Sequence, residues 1–273
     1  MSENRILSRL GSNLHYWMTG PESGPVIVFS HGATLDHHSF DAQLAPLAQA
    51  GYRVITWDLR GHGSSTPIGQ EISVGVLADD LKAIIDTLGA DKVTLAGHSF
   101  GGYVVQEFVH RYPDRVNALV IIGCTDIARK SSRFGRTMYR FMPRMLNRMQ
   151  LDTFRKRTLA DLALLDSVKA YGAQAMQSIS RENFITITMA GIACLWLDSG
   201  FNPGYVIPVP FMLTHGDSDR ANRGVFPRQA PVWAAREPNC HYEIVPQAGH
   251  TAHMDNPAAF NAILLKFLQK NVS

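Results

Sequence analysis

Ten residues constrain this chain more than any other stretch: Val93-Thr94-Leu95-Ala96-Gly97-His98-Ser99-Phe100-Gly101-Gly102. Strand-like apolar residues run into a serine bracketed by glycines, and a helix-like segment, Tyr103 to Tyr112, follows at once. In a strand–turn–helix context, Gly-x-Ser-x-Gly forces the serine backbone into strain at the tip of a sharp turn and lifts its hydroxyl clear of the sheet. A Cβ at Gly97 or Gly101 would collide with neighbouring chain, and Gly102 is expected to let the new helix pack on the strand. The helix amino terminus then directs its dipole and free N–H groups at any negative charge that forms beside Ser99. Taken alone, the same pentapeptide also fits a strand-to-helix turn with a capping serine. Its meaning depends on what the rest of the chain supplies.

The surrounding pattern supplies a parallel sheet. Ile6 to Leu10 and Leu14 to Met18 read as a hairpin turning at Gly11-Ser12-Asn13. Val26 to Phe29 is a buried strand that ends in His31-Gly32-Ala33, and a helix from Phe40 to Ala50 follows, stopped by Gly51. Arg53 to Trp57 is a strand, Asp58 to Ser65 a glycine-punctuated loop, and Leu77 to Leu88 a helix closed by Gly89. After the serine turn comes a strand at Ala118 to Ile122. Strands alternating with helices demand right-handed crossovers with helices on both faces. The alternation stops from about Asp126 to Tyr205, a helical block rich in Met and Arg. It resumes with a strand at Pro210 to Thr214, a helix near Pro231 to Arg236, a strand at His241 to Val245 and a helix from Pro257 to Gln269. The expected organisation is an α/β catalytic domain, residues 1–125 and 206–273, with a helical cap, 126–205, inserted between two strands.

Composition narrows the partners. A chain of 273 residues with a formal charge of +3 has no excess of positive charge that would imply nucleic acid. The sequence shows no apolar run of membrane-spanning length and no apolar leader at Met1 to Gly11, which points to a cytoplasmic protein with a small-molecule substrate. Cys124, Cys194 and Cys240 are too few and too scattered for a disulfide framework or a metal site, and are expected as reduced thiols. Composition does not fix an oligomeric state.

A nucleophilic serine needs a base within hydrogen-bond reach and an acid to hold that base. Open α/β sheets place such groups on loops at the carboxyl ends of strands. Asp217 and Asp219 both follow the Phe211–Thr214 strand, and His250 and His253 both follow the His241–Val245 strand. These landmarks, with His31-Gly32, Asp58 to Gly63 and the Gly97–Gly102 turn, resemble the α/β-hydrolase superfamily, in its serine-nucleophile branch with a helical cap. The resemblance covers nearly the whole chain. It implies a mostly parallel eight-stranded sheet, a triad of Ser99, Asp219 and His250, an oxyanion hole made by the backbone N–H groups of Ala33 and Phe100, and no cofactor. The family's Gly-x-x-Asp spacing from Gly216 favours Asp219 over Asp217, and its Gly-His pair favours His250 over His253.

The remaining histidines are expected to be structural: His98 packed in the core, His31 and His62 fixing loops as donors. Asp36-His37-His38 offers metal-ligand types but lacks a further ligand pair at useful spacing, so no metal is expected. A serine nucleophile excludes the aspartate-dependent branches. An esterase or lactonase leads, and a carbon–carbon bond hydrolase, a cofactor-free oxygenase or haloperoxidase-like enzyme, and a slow-turnover receptor share the layout. In the helical block, twelve Lys and Arg face six acids. Arg129, Arg133, Arg136, Arg140, Arg144 and Arg148 recur at helical spacing, as do Met138, Met142, Met145 and Met149. The Met face is expected to roof the pocket and the Arg face to look outward, with a kink at Pro143.

Overall fold

A computed structural model describes residues 3–128, 133–197 and 204–272. Eight strands form one sheet: β1 (Glu3–Arg9), β2 (Ser12–Thr19), β3 (Val26–Ser30), β4 (Arg53–Trp57), β5 (Val93–His98), β6 (Val116–Ile122), β7 (Phe211–Gly216) and β8 (Cys240–Val245). Their order is β1-β2-β4-β3-β5-β6-β7-β8. β2 pairs antiparallel with both β1 and β4, and every later pairing is parallel. β3 and β5 are buried along their whole length, which is why they read as continuous apolar runs rather than alternating ones.

The two faces of the sheet are covered by different helices. These are α1 (Asp41–Gln49), α2 (Val74–Thr87), α3 (Phe100–Arg111), α8 (Ala221–Arg236), α9 (Ala252–Asp255) and α10 (Pro257–Asn271). Val28 packs with Leu77, Leu81, Val104 and Phe108 on one side; its neighbours Ile27 and Phe29 pack with Leu47, Phe260 and Leu264 on the other. Strand alternation thus builds two cores from one sequence run. α2 begins one turn earlier than its apolar spacing indicates, because the Ser73 hydroxyl accepts from Val76 N and caps it. α8 also starts ten residues early. Its first turn passes through left-handed backbone at Asn222, Arg223 and Gly224, and Pro227 and Pro231 lie within it, so the sequence there reads as breakers. The short α9 went unanticipated.

Between β6 and β7 lie α4 (Arg133–Arg148), α5 (Leu151–Leu162), α6 (Asp166–Gln177) and α7 (Arg181–Trp196), with no strand among the described residues. α4 continues through Pro143 as one element. Arg129 lies outside the described residues. The inserted helices are tied down by arginines acting on backbone carbonyls. Arg181 donates to Leu146 O, Asn147 O and Met149 O, closing the carboxyl end of α4, and Arg155 donates to Met176 O and Ile179 O.

Candidate active site

Ser99 sits between β5 and α3 with φ 49° and ψ −114°, a conformation that costs an L-residue energy and persists only where the surroundings over-determine it. The surroundings do so here. A Cβ on Gly97 would overlap the Gly101 carbonyl, and one on Gly101 would overlap that of Ser30. Gly102 has a different cause from the one expected: its missing Cβ leaves room for Cys124, beyond β6, rather than for its own strand. Ser99 N donates to Ile122 O at 2.9 Å, fixing the turn to β6.

Asp219 and His250 come together from loops after β7 and β8. His250 Nδ1–H donates to Asp219 Oδ2 at 3.0 Å, and Asp219 Oδ1 accepts from Ala221 N at 2.9 Å, so both carboxylate oxygens are engaged in a buried setting. That bond fixes the tautomer and leaves Nε2 as the acceptor. The other aspartate goes elsewhere. Exposed Asp217 accepts from Gln247 N and Ala248 N, bonds that hold its carboxyl below the usual range and brace the β8 loop. Ser99 Oγ makes no hydrogen bond among the described residues. The residue before the serine sits against the histidine: the His98 and His250 ring centroids lie 4.7 Å apart, and a Cβ on Gly123 would stand 3.0 Å from His250 Nδ1.

His98 does more than pack. Its Nε2–H donates to the His250 carbonyl at 3.1 Å, while its Nδ1 is buried without a partner. Burial holds His98 well below the usual histidine range, so it stays neutral. The residue beside the serine therefore grips the backbone of the candidate base. His253 lies buried against Phe40 and Phe260, with both ring nitrogens unpartnered and burial pushing it down to about 3. It faces the core, not Asp219.

Three supports were not legible from spacing. Phe226 of α8 stacks on the His250 ring, centroids 5.0 Å apart. The Asp255 carboxylate accepts from Gly249 N and also from Leu164 N and Leu165 N, tying the histidine loop to the turn between α5 and α6. Thr251 reinforces that tie through Leu162 O.

On the other side, the Gly32–Ala33 turn abuts the serine: a Cβ on Gly32 would lie 3.4 Å from Ser99 Cβ. Phe100 opens α3, whose first N–H groups have no partner within the helix. His31 acts as both donor and acceptor rather than donor alone. Nδ1–H donates to Gly32 O at 2.8 Å and Nε2 accepts from Leu59 N at 2.9 Å. His62 Nδ1 meets Arg60 O at 3.2 Å, and burial takes His62 down to about 3. The Asp58–Gly63 loop is held by Arg60, whose guanidinium makes two bonds to buried Asp80. Asp36 joins the insertion, because Tyr171 OH of α6 donates to Asp36 Oδ1 at 2.7 Å and accepts from Asp36 N.

Asp36, His37 and His38 do bring ligand atoms within 4.8 Å of one another. His37 Nδ1 bonds Asp58 and His38 Nδ1 bonds Asp36. Burial raises Cys124 far above its usual range and pushes Cys194 and Cys240 up to about 12. A groove of about 460 Å³ lined by Pro210, Asn239, Lys266 and Lys270 lies at the amino ends of β7 and β8, the opposite end of the strands from Ser99. Among the described residues, no helix is long and apolar enough to cross a membrane.

A family profile described as "alpha/beta hydrolase fold" matches residues 25–257, and the chain belongs to that family. A bifunctional esterase/perhydrolase from Acinetobacter calcoaceticus is 37% identical over 119 residues, 43% of each chain. Bifunctional epoxide hydrolase 2 of Sus scrofa is 35% identical over 125 residues, 45% of this chain and 22% of that one. The chain thus spans less than half the length of these curated relatives. A thermophilic esterase from Thermogutta terrifontis has the same fold, with a TM-score of 0.83 at 24% identity, covering 99% of this chain and 100% of that one.

Proposed function

We propose that the protein is a serine hydrolase that cleaves a small, largely apolar carboxylic ester or lactone through an acyl-enzyme. The observation that carries this reading is the buried 3.0 Å bond between His250 and Asp219, set beside a serine held at φ 49°. Relatives named esterase and epoxide hydrolase support a hydrolase. The serine supports the esterase side, since the epoxide hydrolase branch uses aspartate as its nucleophile.

Substrate docking brings Ser99 Oγ and His250 Nε2 into reach, a contact that commonly closes only in the Michaelis complex. Ser99 Oγ then attacks the carbonyl carbon as His250 Nε2 takes its proton. Asp219 holds the ring and stabilises the imidazolium. The N–H groups of Ala33 and Phe100 receive the oxyanion, with removal of one such donor costing roughly 3–4 kcal/mol. His250 returns the proton to the leaving oxygen, and water repeats the sequence on the acyl-enzyme. The helices between β6 and β7 act as a cap over this site, with α7 Gly191 lying against the Phe100 ring.

Covalent labelling with a fluorophosphonate, alongside turnover of short p-nitrophenyl esters and lactones, tests the reading. Wild type should label and turn over repeatedly, and Ser99→Ala should do neither while melting as wild type does. Labelling that persists in Ser99→Ala removes the nucleophile. A single turnover without release would instead mark a receptor.

A further inference from the structure

The outward side of α4 is not simply polar. At 3.6 residues per turn its buried, basic and exposed apolar residues fall on three sides. Gly135, Met142 and Leu146 are buried. Arg133, Arg136, Arg140, Arg144 and Arg148 make a second face, and the helix contains no Asp or Glu. Phe134, Met138, Phe141 and Met145 make a third, and its large side chains stand in water: Phe134 is 74% exposed, Phe141 56% and Met145 54%. Met145 is therefore not part of a roof, contrary to the expectation from methionine spacing; of that pair only Met142 points inward. A helix that needed only to cover the core would carry one apolar stripe. This one's stripe is about 140° wide, but only its Gly135, Met142 and Leu146 edge is buried, and Phe134, Phe141 and Met145 stand exposed together along the other edge.

Charge complementarity selects the occupant. Arg133, Arg140, Arg144 and Arg148 run beside the apolar stripe along about 22 Å of helix, and α4 itself carries no acid. An uncharged protein surface would bury the phenylalanines but leave the arginines facing an apolar wall. A lipid surface rich in anionic headgroups accommodates both, with acyl chains under the aromatic rings and phosphates against the guanidinium groups. The helix is already formed, since its carboxyl end is closed by Arg181, so docking need not also order it. We infer that α4 seats the protein on an anionic lipid surface, with Phe134, Phe141 and Met145 inserted among the acyl chains. The inference is independent of which bond the site cleaves.

Flotation of the full-length protein with vesicles of phosphatidylcholine, alone or with phosphatidylglycerol added, tests it. Wild type should partition about tenfold or more toward the anionic vesicles at low salt and come off as salt rises. Phe134→Ser/Phe141→Ser keeps the charge and should lose about tenfold or more of that binding; Arg140→Gln/Arg144→Gln should lose the preference for phosphatidylglycerol. Melting curves check that both variants are folded. Equal partition to both vesicle types, no flotation with either, or wild-type binding by the Phe134→Ser/Phe141→Ser variant overturns the inference. Salt-sensitive binding of polyglutamate without vesicle binding would also overturn it, and would mark a docking face for an acidic protein.

Discussion

The strands bearing the candidate site and the helices inserted between β6 and β7 are built on different principles. In the sheet, position is enforced by backbone crowding. Ser99 is held by glycines that have no space for a Cβ, and Asp219 and His250 stand on loops whose N–H groups are bonded to neighbouring chain. The inserted helices bury only a few side chains each, and are fastened by polar ties such as Arg181 and Tyr171. Crowding leaves one conformation. Ties leave a region that can be lifted or reshaped at modest cost, as the proposed cap would require.

The sharpest separation should come from the two aspartates after β7. Asp219→Asn should lower kcat about 10⁴-fold, because the amide favours the wrong tautomer of His250. Asp217→Asn should leave kcat within a few-fold, since Asp217 is bonded to the Gln247 and Ala248 amides and to Ser218, not to His250. A larger loss at Asp217 in steady-state assays would reverse the assignment.

Glycine substitutions compare the two regions directly. Gly101→Ala drives a methyl into the Ser30 carbonyl and should cost about 3 kcal/mol or more. Gly191→Ala in α7 meets the Phe100 ring at 3.3 Å, a contact that yields by a small shift, and should cost about 1 kcal/mol or less. Denaturant unfolding measures both, and similar costs would erase the distinction between crowding and ties.

His253 offers a pH test within the crowded half. Its folded-state value of about 3 lies below the ordinary 6.5. Between those values the unfolded chain binds a proton that the folded chain refuses, so His253 makes stability fall as pH drops from 6.5 toward 3. His253→Phe should flatten that part of the melting-temperature profile. It should also add about 1 kcal/mol at neutral pH by removing two unpartnered ring nitrogens. An unchanged slope would show that the other depressed histidines, His31, His62, His98 and His110, carry the effect. The ties give a change of the same small order: Tyr171→Phe removes the hydroxyl's bonds to Asp36 and should cost about 1 kcal/mol in unfolding experiments.

These contrasts also explain what the sequence could disclose. Crowded turns leave glycines at fixed offsets, so Gly97 and Gly101 could be read directly, and the alternation of strands with helices displayed the sheet. The role of His98 could not be read, because its partner is a carbonyl 152 residues away and carbonyls leave no trace in composition. Asp255 was hidden for the same reason. In α4 the periodicity was plain, but Met142 and Met145 share it; only the packing of α7 decides which of them is inside. The acid was legible only through the resemblance, since Asp217 and Asp219 are equivalent by residue type.

One carboxylate has a wider reach than its hydrogen bonds suggest. By holding Gly249 on one side and Leu164 and Leu165 on the other, Asp255 should make the turn between α5 and α6 and the loop of the candidate base open as one cooperative unit. The rhythm of breathing should then divide the insertion in two. Amide protons of Leu164 and Leu165 should exchange with solvent in step with Gly249, while those of α4 exchange on their own, faster clock. Asp255→Asn, with weaker acceptors, should let the two sides of that unit fall out of step, a loss of synchrony that mass-resolved hydrogen exchange reads directly.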